Sequence, residues 1–453
     1  MSNSRIRKGR RGRVSAAVAS LAVAGLVLTA CSSGDGDDTA SDSQDSTESS
    51  ETQEEAADDS AAEESTTEES GGMGDMCGDD TIRIGISLPL TGDFSQPGQE
   101  AQRGYDVWAE LTNNAGGLLG RPVELVVLDD ASSQEQVVTD YNNLISQEKV
   151  PLLLGTFSSL LNFPASTVAE NNEMVLIAPA GGSPKIFEPE PKFYFFAQQA
   201  TAPDQANPFV NMIASLPDDQ KPKTAAYVSM DDPFALPVIE SMQEQLEAAG
   251  VETVYTGIYP EGTTNLQPQA AAIAAEEPDL IAQGSVFEDG ISLAKSMVQI
   301  GYSPDFMFQT TAPSFGAQYV EGVGEGNENG VFFAVSWSEK APTEGNAEFV
   351  AEYQAQNGEG LVPSEDSANA YVAAEVLQTA VEAVGDCDNL AIADWLRANS
   401  VDTILGELSW DDIGRPQGDF LLAQWQNGTV EIVAPEVATT NGGELIVPKP
   451  GWQ

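Results

Sequence analysis

From Thr81 onward, apolar positions recur along the chain with two different periods. Thr81–Leu88 (TIRIGISL) is a β-branched run bounded by Pro89 and Gly92, the pattern of a buried strand. Ala101, Tyr105, Trp108 and Leu111 then return every three or four residues, as the buried stripe of a helix does. Val123–Leu128 reads as a second strand, and Val137, Val138, Tyr141, Leu144 and Ile145 mark one face of the helix after it. Val150–Leu154 and Met174–Ala178 read as strands on either side of a helix at Phe163–Asn171. The alternation resumes with strands at Ala225–Val228, Val251–Ile258, Asp279–Ala282 and Asp305–Gln309, and with helices at Val238–Ala249, around Ile273–Ala275 and at Gly290–Ile300. Strands that alternate with helices predict an α/β protein with mainly parallel sheets flanked by helices.

Two stretches correspond in order and character. Val150–Ser183 and Pro278–Ser314 each run strand, glycine (Gly155 or Gly284), polar loop, helix, strand, small residues. This predicts two similar lobes, each presenting loops at the carboxyl ends of its strands, where open α/β sheets bind ligands. Beyond Gly330 the pattern predicts a strand at Val331–Val335 and helices over Ala347–Gln356, Ser367–Val384 and Leu390–Asn399. Short antiparallel strands follow around Leu408–Trp410, Phe420–Trp425 and Val430–Val433.

The first 80 residues lack this periodicity. Residues 1–31 carry six basic side chains and no acid, then the apolar run Val14–Leu28, which is shorter than the ~20 residues that span a bilayer. That order is an export signal. It ends in Leu28-Thr29-Ala30-Cys31, which resembles the lipobox of bacterial lipoproteins. The resemblance implies removal of residues 1–30 and a diacylglyceryl group on Cys31; an ordinary signal peptide with a chance cysteine is the alternative. Residues 32–80 hold 18 acids and no base, with almost no aliphatic side chain, so the segment 31–79 is expected to be a lipid-anchored, disordered acidic linker.

Charge and composition narrow the function. The chain of 453 residues has 71 Asp+Glu against 19 Lys+Arg and no histidine. Such a balance repels nucleic acid, whose binding needs basic residues on phosphates. Without histidine there is no Ser-His-Asp or Cys-His unit and no imidazole metal ligand, and three cysteines cannot complete a Cys₄ zinc site. Gly322-Val323-Gly324-Glu325-Gly326 has the wrong spacing for a dinucleotide loop. The expectation is a non-enzyme with no catalytic residues, metal or cofactor.

The run Leu396–Trp410 (LRANSVDTILGELSW) resembles the C-terminal part of the leucine/isoleucine/valine-binding proteins of branched-chain amino-acid ABC transporters. Pro89-Leu90-Thr91-Gly92, Asn114-Ala115-Gly116-Gly117, Leu128-Asp129-Asp130, Gly155, Pro164-Ala165-Ser166 and Ile177-Ala178-Pro179-Ala180 fit the same family in order, so the likeness spans about 80–435. It implies a two-lobed periplasmic-binding-protein type I clamshell with a three-strand hinge, crossing near Gln199–Asp204, Thr310–Ser314 and Asp419–Ala423. Lobe 1 is then expected at 80–202 and 313–420, and lobe 2 at 203–312 and 421–453. The implied function is that of a monomeric extracytoplasmic receptor, anchored to the outer face of the cell membrane. It would close on an amino acid, branched-chain or similarly apolar, and deliver it to an ABC permease. Alternatives are a sensing module of the same fold, or a receptor for amides, urea or aromatic acids.

The resemblance also assigns site residues. The position of Ser159, beside Ser158 where a helix begins, supplies a hydroxyl to the ligand carboxylate; either serine can equally be an N-cap. Ala180, Gly182 and Ser183 form the next loop, with glycine where the family has a threonine, leaving backbone groups or Ser183 to serve; a plain Gly-rich turn is the other reading. On lobe 2, Asp289 or Glu288 stands where the family has the acid for the α-ammonium, or serves as an ordinary helix-start acid. Phe234 takes the place of a cleft aromatic, and Phe94 or Phe157 replaces another at Pro97. The family's disulfide positions fall on Ser132 and Ser158, so Cys77 and Cys387 are expected to pair with each other or to remain free thiols.

Overall fold

The computed structural model describes residues 75–78 and 80–453. The predicted signal segment, Cys31 and nearly all of the acidic linker lie outside the described residues. The linker's expected end at 79 needs correction. Cys77 is disulfide-bonded to Cys387, and Asp75 pairs with Arg121 at 2.8 Å, so residues 75–78 are already held against the body.

The first lobe is laid down in order. It comprises β1 (Ile82–Leu88), α1 (Ser95–Asn114), β2 (Val123–Asp129), α2 (Gln134–Ser146), β3 (Leu152–Leu154), α3 (Ser159–Asn171), β4 (Leu176–Ala178), α4 (Pro184–Phe187) and β5 (Tyr194–Phe196). The sheet order is β2-β1-β3-β4-β5, with every pairing parallel. Ile82, Ile84, Ile86 and Leu88 of β1 are fully buried, which is why the strand reads as a near-continuous apolar run rather than an alternating one.

The chain then crosses to the second lobe. This holds α5 (Asn207–Ser215), β6 (Thr224–Met230), α6 (Ala235–Ala248), β7 (Glu252–Tyr259), α7 (Gln267–Glu276), β8 (Leu280–Gly284), α8 (Glu288–Ile300), β9 (Phe306–Gln309), α9 (Ala317–Val323) and β10 (Val331–Val335). It returns to lobe 1 for α10 (Asn346–Asn357), α11 (Glu365–Val384), α12 (Asn389–Ala398), β11 (Val401–Thr403) and β12 (Gly406–Leu408). The chain ends in lobe 2 with β13 (Leu421–Gln426) and β14 (Thr429–Ala434). The second sheet runs β14-β13-β10-β9-β8-β6-β7, parallel except at β13 and β14.

That order corrects one lobe boundary. β10 pairs with β9 on one side and β13 on the other, so residues 313–335 belong to lobe 2. The second crossing therefore lies between β10 and α10, not at Thr310–Ser314. Its backbone is tied to the first crossing, since Gln199 Nε2 donates to Ser336 O at 2.7 Å and Ser336 Oγ donates to Gln198 Oε1 at 3.2 Å.

One glycine sets how α11 meets the rest of lobe 1. A Cβ on Gly104 of α1 would stand 1.9 Å from the Ser367 carbonyl oxygen, so the two helices cross at backbone distance. Ser367 Oγ donates to Glu100 O at 2.8 Å across the same contact. This approach brings the first turn of α11 to the edge of the cleft.

Candidate functional site

The cleft loops hang from strand ends that buried tyrosines grip. Tyr105 of α1 donates to Gly155 O at 2.8 Å, Tyr141 of α2 to Leu154 O at 2.8 Å, and Tyr194 of β5 to Gly181 O at 2.9 Å. Asn162 of α3 joins the two lobe 1 loops, its amide nitrogen donating to Thr156 O (2.6 Å), Ser158 O (3.0 Å) and Ala180 O (2.8 Å). In lobe 2, Tyr259 donates to Gly284 O at 3.0 Å in the same manner.

Between the lobes these loops enclose a small cavity of about 40 Å³. Lobe 1 contributes Phe157, Ser158 and Ser159, then Ala180 and Gly181, then Glu365, Asp366 and Asn369 from the start of α11. Lobe 2 contributes Asp232, Phe234, Val286 and Thr311. Ser158 precedes α3 without capping it through its side chain, and its buried hydroxyl has no partner among the described residues. The start of α3 thus lies in the cavity wall, and a helix start carries free N–H groups and the positive end of the dipole, which suit an anionic group. Ser159 Oγ is held by the Ser183 N–H at 3.1 Å.

Acids dominate the remaining walls. Asp232 caps α6, its Oδ1 accepting from the Phe234 and Ala235 N–H groups at 2.8 Å each, while Oδ2 is buried with no partner. Asp366 Oδ2 and Asn369 Oδ1 are likewise buried and unpartnered. Burial pushes Asp232 above the ordinary carboxylate range, against the helix N–H groups that lower it. Burial lifts Glu365 to about 7, opposed by Ser336, and drives Asp366 far up, with the charges of Glu365 and Glu100 adding to the effect. Among the described residues, no Lys or Arg lines the cavity. An ionised carboxylate buried without a partner is costly, so burial favours the protonated form of these acids in the empty cleft.

The structure separates the predicted residues. Ser158, Ser159, Ala180 and Phe234 line the cavity, and Phe157 supplies the aromatic wall with Phe94 set edge-on behind it at 5.9 Å. Gly182 and Ser183 do not reach the cavity. A Cβ on Gly182 would meet the Phe196 ring at 2.7 Å, so a threonine there would not fit. Asp289 is also turned away: its Oδ2 accepts from Tyr259 Oη at 2.6 Å and its Oδ1 from the Val286 N–H at 3.0 Å. Glu288 is exposed on α8 and outside the lining. The acids that do reach the cavity are Asp232, Glu365 and Asp366. The position of Asp232 after the first strand of lobe 2 was the available signal, since ligands gather at strand carboxyl ends.

A larger cavity of about 710 Å³ opens on the other side of Glu365, among Phe315, Trp337, Tyr353, Leu361 and Trp425. Its two cations are already paired, Arg103 with Glu100 and Lys340 with Glu431. No unpartnered buried polar atom belongs to its lining. Asp75, Cys77 and Asp386 lie close enough together to hold a metal ion, but the Cys77 sulfur is bound in the disulfide and Asp75 pairs with Arg121.

Two mainly parallel-sheet lobes joined by three crossings, with a small cavity between them, define a two-lobed solute-binding protein. The chain belongs to the periplasmic binding protein family, whose model matches residues 81–429. An amino acid binding protein of Pseudomonas aeruginosa is 26% identical over 362 residues, 76% of this chain and 90% of that protein. A Leu/Ile/Val-binding protein homolog of Brucella suis is 26% identical over 378 residues, 79% of this chain and 92% of that one. Among solved structures, an isoleucine complex of a branched-chain amino acid transporter substrate binding protein from Streptococcus pneumoniae superposes with TM-score 0.69. It is 19% identical and covers 78% of this chain and 100% of that one. A solute binding protein of R. palustris in complex with benzoate gives 0.68 at 20% identity, covering 81% and 100%. The fold is that of the type I periplasmic binding proteins, and the family is one of extracytoplasmic solute-binding proteins.

Proposed function

We propose that the protein is the receptor of an ABC importer, capturing an amino acid between its lobes by hinge closure and presenting it to a membrane permease. The reading rests on one observation: the same cavity offers a helix N-terminus beside Ser158 and, from other elements, carboxyl groups of Asp232 and Asp366 that each keep one oxygen unpartnered among the described residues. A molecule bearing both a carboxylate and an ammonium satisfies both ends. An aromatic acid such as the benzoate of the R. palustris relative would meet Asp232 and Asp366 with no cation to offset them. Lipid attachment at Cys31 would hold the receptor at the membrane through the acidic linker.

Thermal-shift screening of the ligand-free protein tests the reading. Amino acids should raise Tm, and benzoate, urea and neutral amides should not. A shift from an amide or aromatic acid, with none from any amino acid, refutes it. Cys31→Ser should release the protein from the membrane fraction; equal membrane retention refutes the anchor.

A further inference from the structure

We infer that the first turn of α11 is a ligand-binding element, in which Asp366 and Asn369 together take a group of the ligand that carries hydrogen-bond donors: its α-ammonium or the polar end of its side chain. This rests on the amino-acid reading above and adds a third lobe 1 element to it, beside the loops before α3 and α4. The turn is held firmly where it meets the cleft. Ser364 caps the helix, accepting from the Ser367 N–H at 3.2 Å. Ser364 Oγ also donates to Glu100 Oε2 at 3.2 Å, and Ser367 Oγ to Glu100 O at 2.8 Å. Glu365 accepts from the Ser336 N–H at the second crossing. Three neighbours of Asp366 are therefore committed, to the helix end, to α1 and to the hinge.

Asp366 Oδ2 and Asn369 Oδ1 are not committed. Both are buried without a partner among the described residues, on side chains 9% and 3% exposed, and both residues line the cavity between the lobes. Spaced three apart on one helix, they share a face. The inference needs no charge on Asp366. Ionised, its carboxylate accepts hydrogen bonds; protonated, as burial favours, it keeps an oxygen that accepts and gains an O–H that donates. Beside Asn369, the first form complements an ammonium and the second an amide or hydroxyl group. Hydrocarbon complements neither. An isoleucine side chain laid against this turn would bury both oxygens unpaired, and a site built for hydrogen bonds rejects an analogue that lacks the matching donor.

The test is calorimetric titration of the full-length, ligand-free parent and of its Asp366→Leu and Asn369→Leu variants. The probes are glutamine, norleucine, which has hydrocarbon in place of the amide, and the amino acid that gives the largest Tm shift in the screen above. Melting curves check that each variant is folded; Asp366→Ala or Asn369→Ala replaces a leucine variant that is not. The tightest probe should lose at least tenfold in affinity in both variants. A loss confined to probes with a polar side chain places that side chain on α11. A loss shared with norleucine places the α-ammonium there; trimethylating the amino group, which keeps its charge and removes its N–H donors, should then cost the parent at least tenfold more than it costs the variants. A loss below tenfold in either folded variant, or a shared loss without that difference on trimethylation, overturns this inference and leaves the amino-acid reading standing. Absence of binding by every amino acid overturns both.

Discussion

Glu365→Gln isolates the electrostatic cost of keeping the empty cleft acidic. Glu365 accepts a hydrogen bond from the Ser336 N–H, and glutamine keeps an acceptor there while removing the charge. Burial raises the carboxyl from 4.5 to about 7, with Ser336 pulling the other way. The groups around it are Asp366 on its own helix, and Glu100 on α1 with the Arg103 that pairs with it. A carboxyl with a raised folded-state pKa binds its proton more tightly folded than unfolded. Its contribution is therefore fully present below about pH 4 and is lost as pH rises through about 7. At about 1.4 kcal/mol per pKa unit, the loss for Glu365 is a little over ~3 kcal/mol by pH 8. In a body of this size that is roughly 4 °C in Tm. Ligand-stripped Glu365→Gln should therefore melt about 4 °C above the parent at pH 8 and together with it near pH 4, measured by differential scanning calorimetry. The same offset at both pH values, or none at pH 8, would refute the reasoning.

Three further outcomes follow from the packing. The Cys77–Cys387 disulfide closes a separation of 310 residues, so replacing both cysteines with serine should cost about 2–5 kcal/mol, read by denaturant titration, and expose residues 75–78 to protease. Gly104→Ala drives a methyl group to within 1.9 Å of the Ser367 carbonyl oxygen; overpacking of about 1–3 kcal/mol should appear together with weaker ligand binding, because α11 must retreat. Asn162→Ala removes two N–H donors shared among three loop carbonyls, at about 1 kcal/mol per donor, so a loss near 2 kcal/mol with weakened ligand binding is expected, and full affinity would show that the loops hold without it.

The two periods of the apolar pattern were enough to read the α/β lobes, because buried parallel strands and amphipathic helices advertise themselves locally. Which sheet a strand joins is not local. Val331–Val335 was legible as a strand, yet its partners β9 and β13 are set by tertiary pairing, which moved a crossing by more than twenty residues. Lobe 1's site residues Ser158 and Ser159 were legible because a helix N-terminus after a strand has a recognisable signature. Lobe 2's acid was not. Asp289 stands in the first turn of its helix as its spacing suggests, but Tyr259, thirty residues upstream, takes its oxygen. Asp232 and Asp366 hide for a different reason: Asp231-Asp232 looks like surface in a chain with 71 acids, and Ser364-Glu365-Asp366-Ser367 reads as an ordinary capped helix start. Asp232 is marked by its place just after a strand, but Asp366 is distinguished only by its missing partner, and a missing partner is invisible without the fold.

The same acids occur in two settings that obey different physics. Residues 81–453 carry 53 acids and 13 bases, most of them solvated, where salt screens them over about 8–10 Å. Such a surface raises the local concentration of a cationic solute and hastens encounter, an effect that fades as salt is added. Asp232 and Asp366 are largely buried, where screening is weak and an unmet charge opposes closure. For a cationic ligand the surface would govern how fast it arrives, and the cleft whether the lobes stay closed on it. Salt should then slow association far more than it speeds release. A neutral amino acid would show neither asymmetry, so the salt dependence of the two rate constants reports directly on which carboxylates the ligand meets.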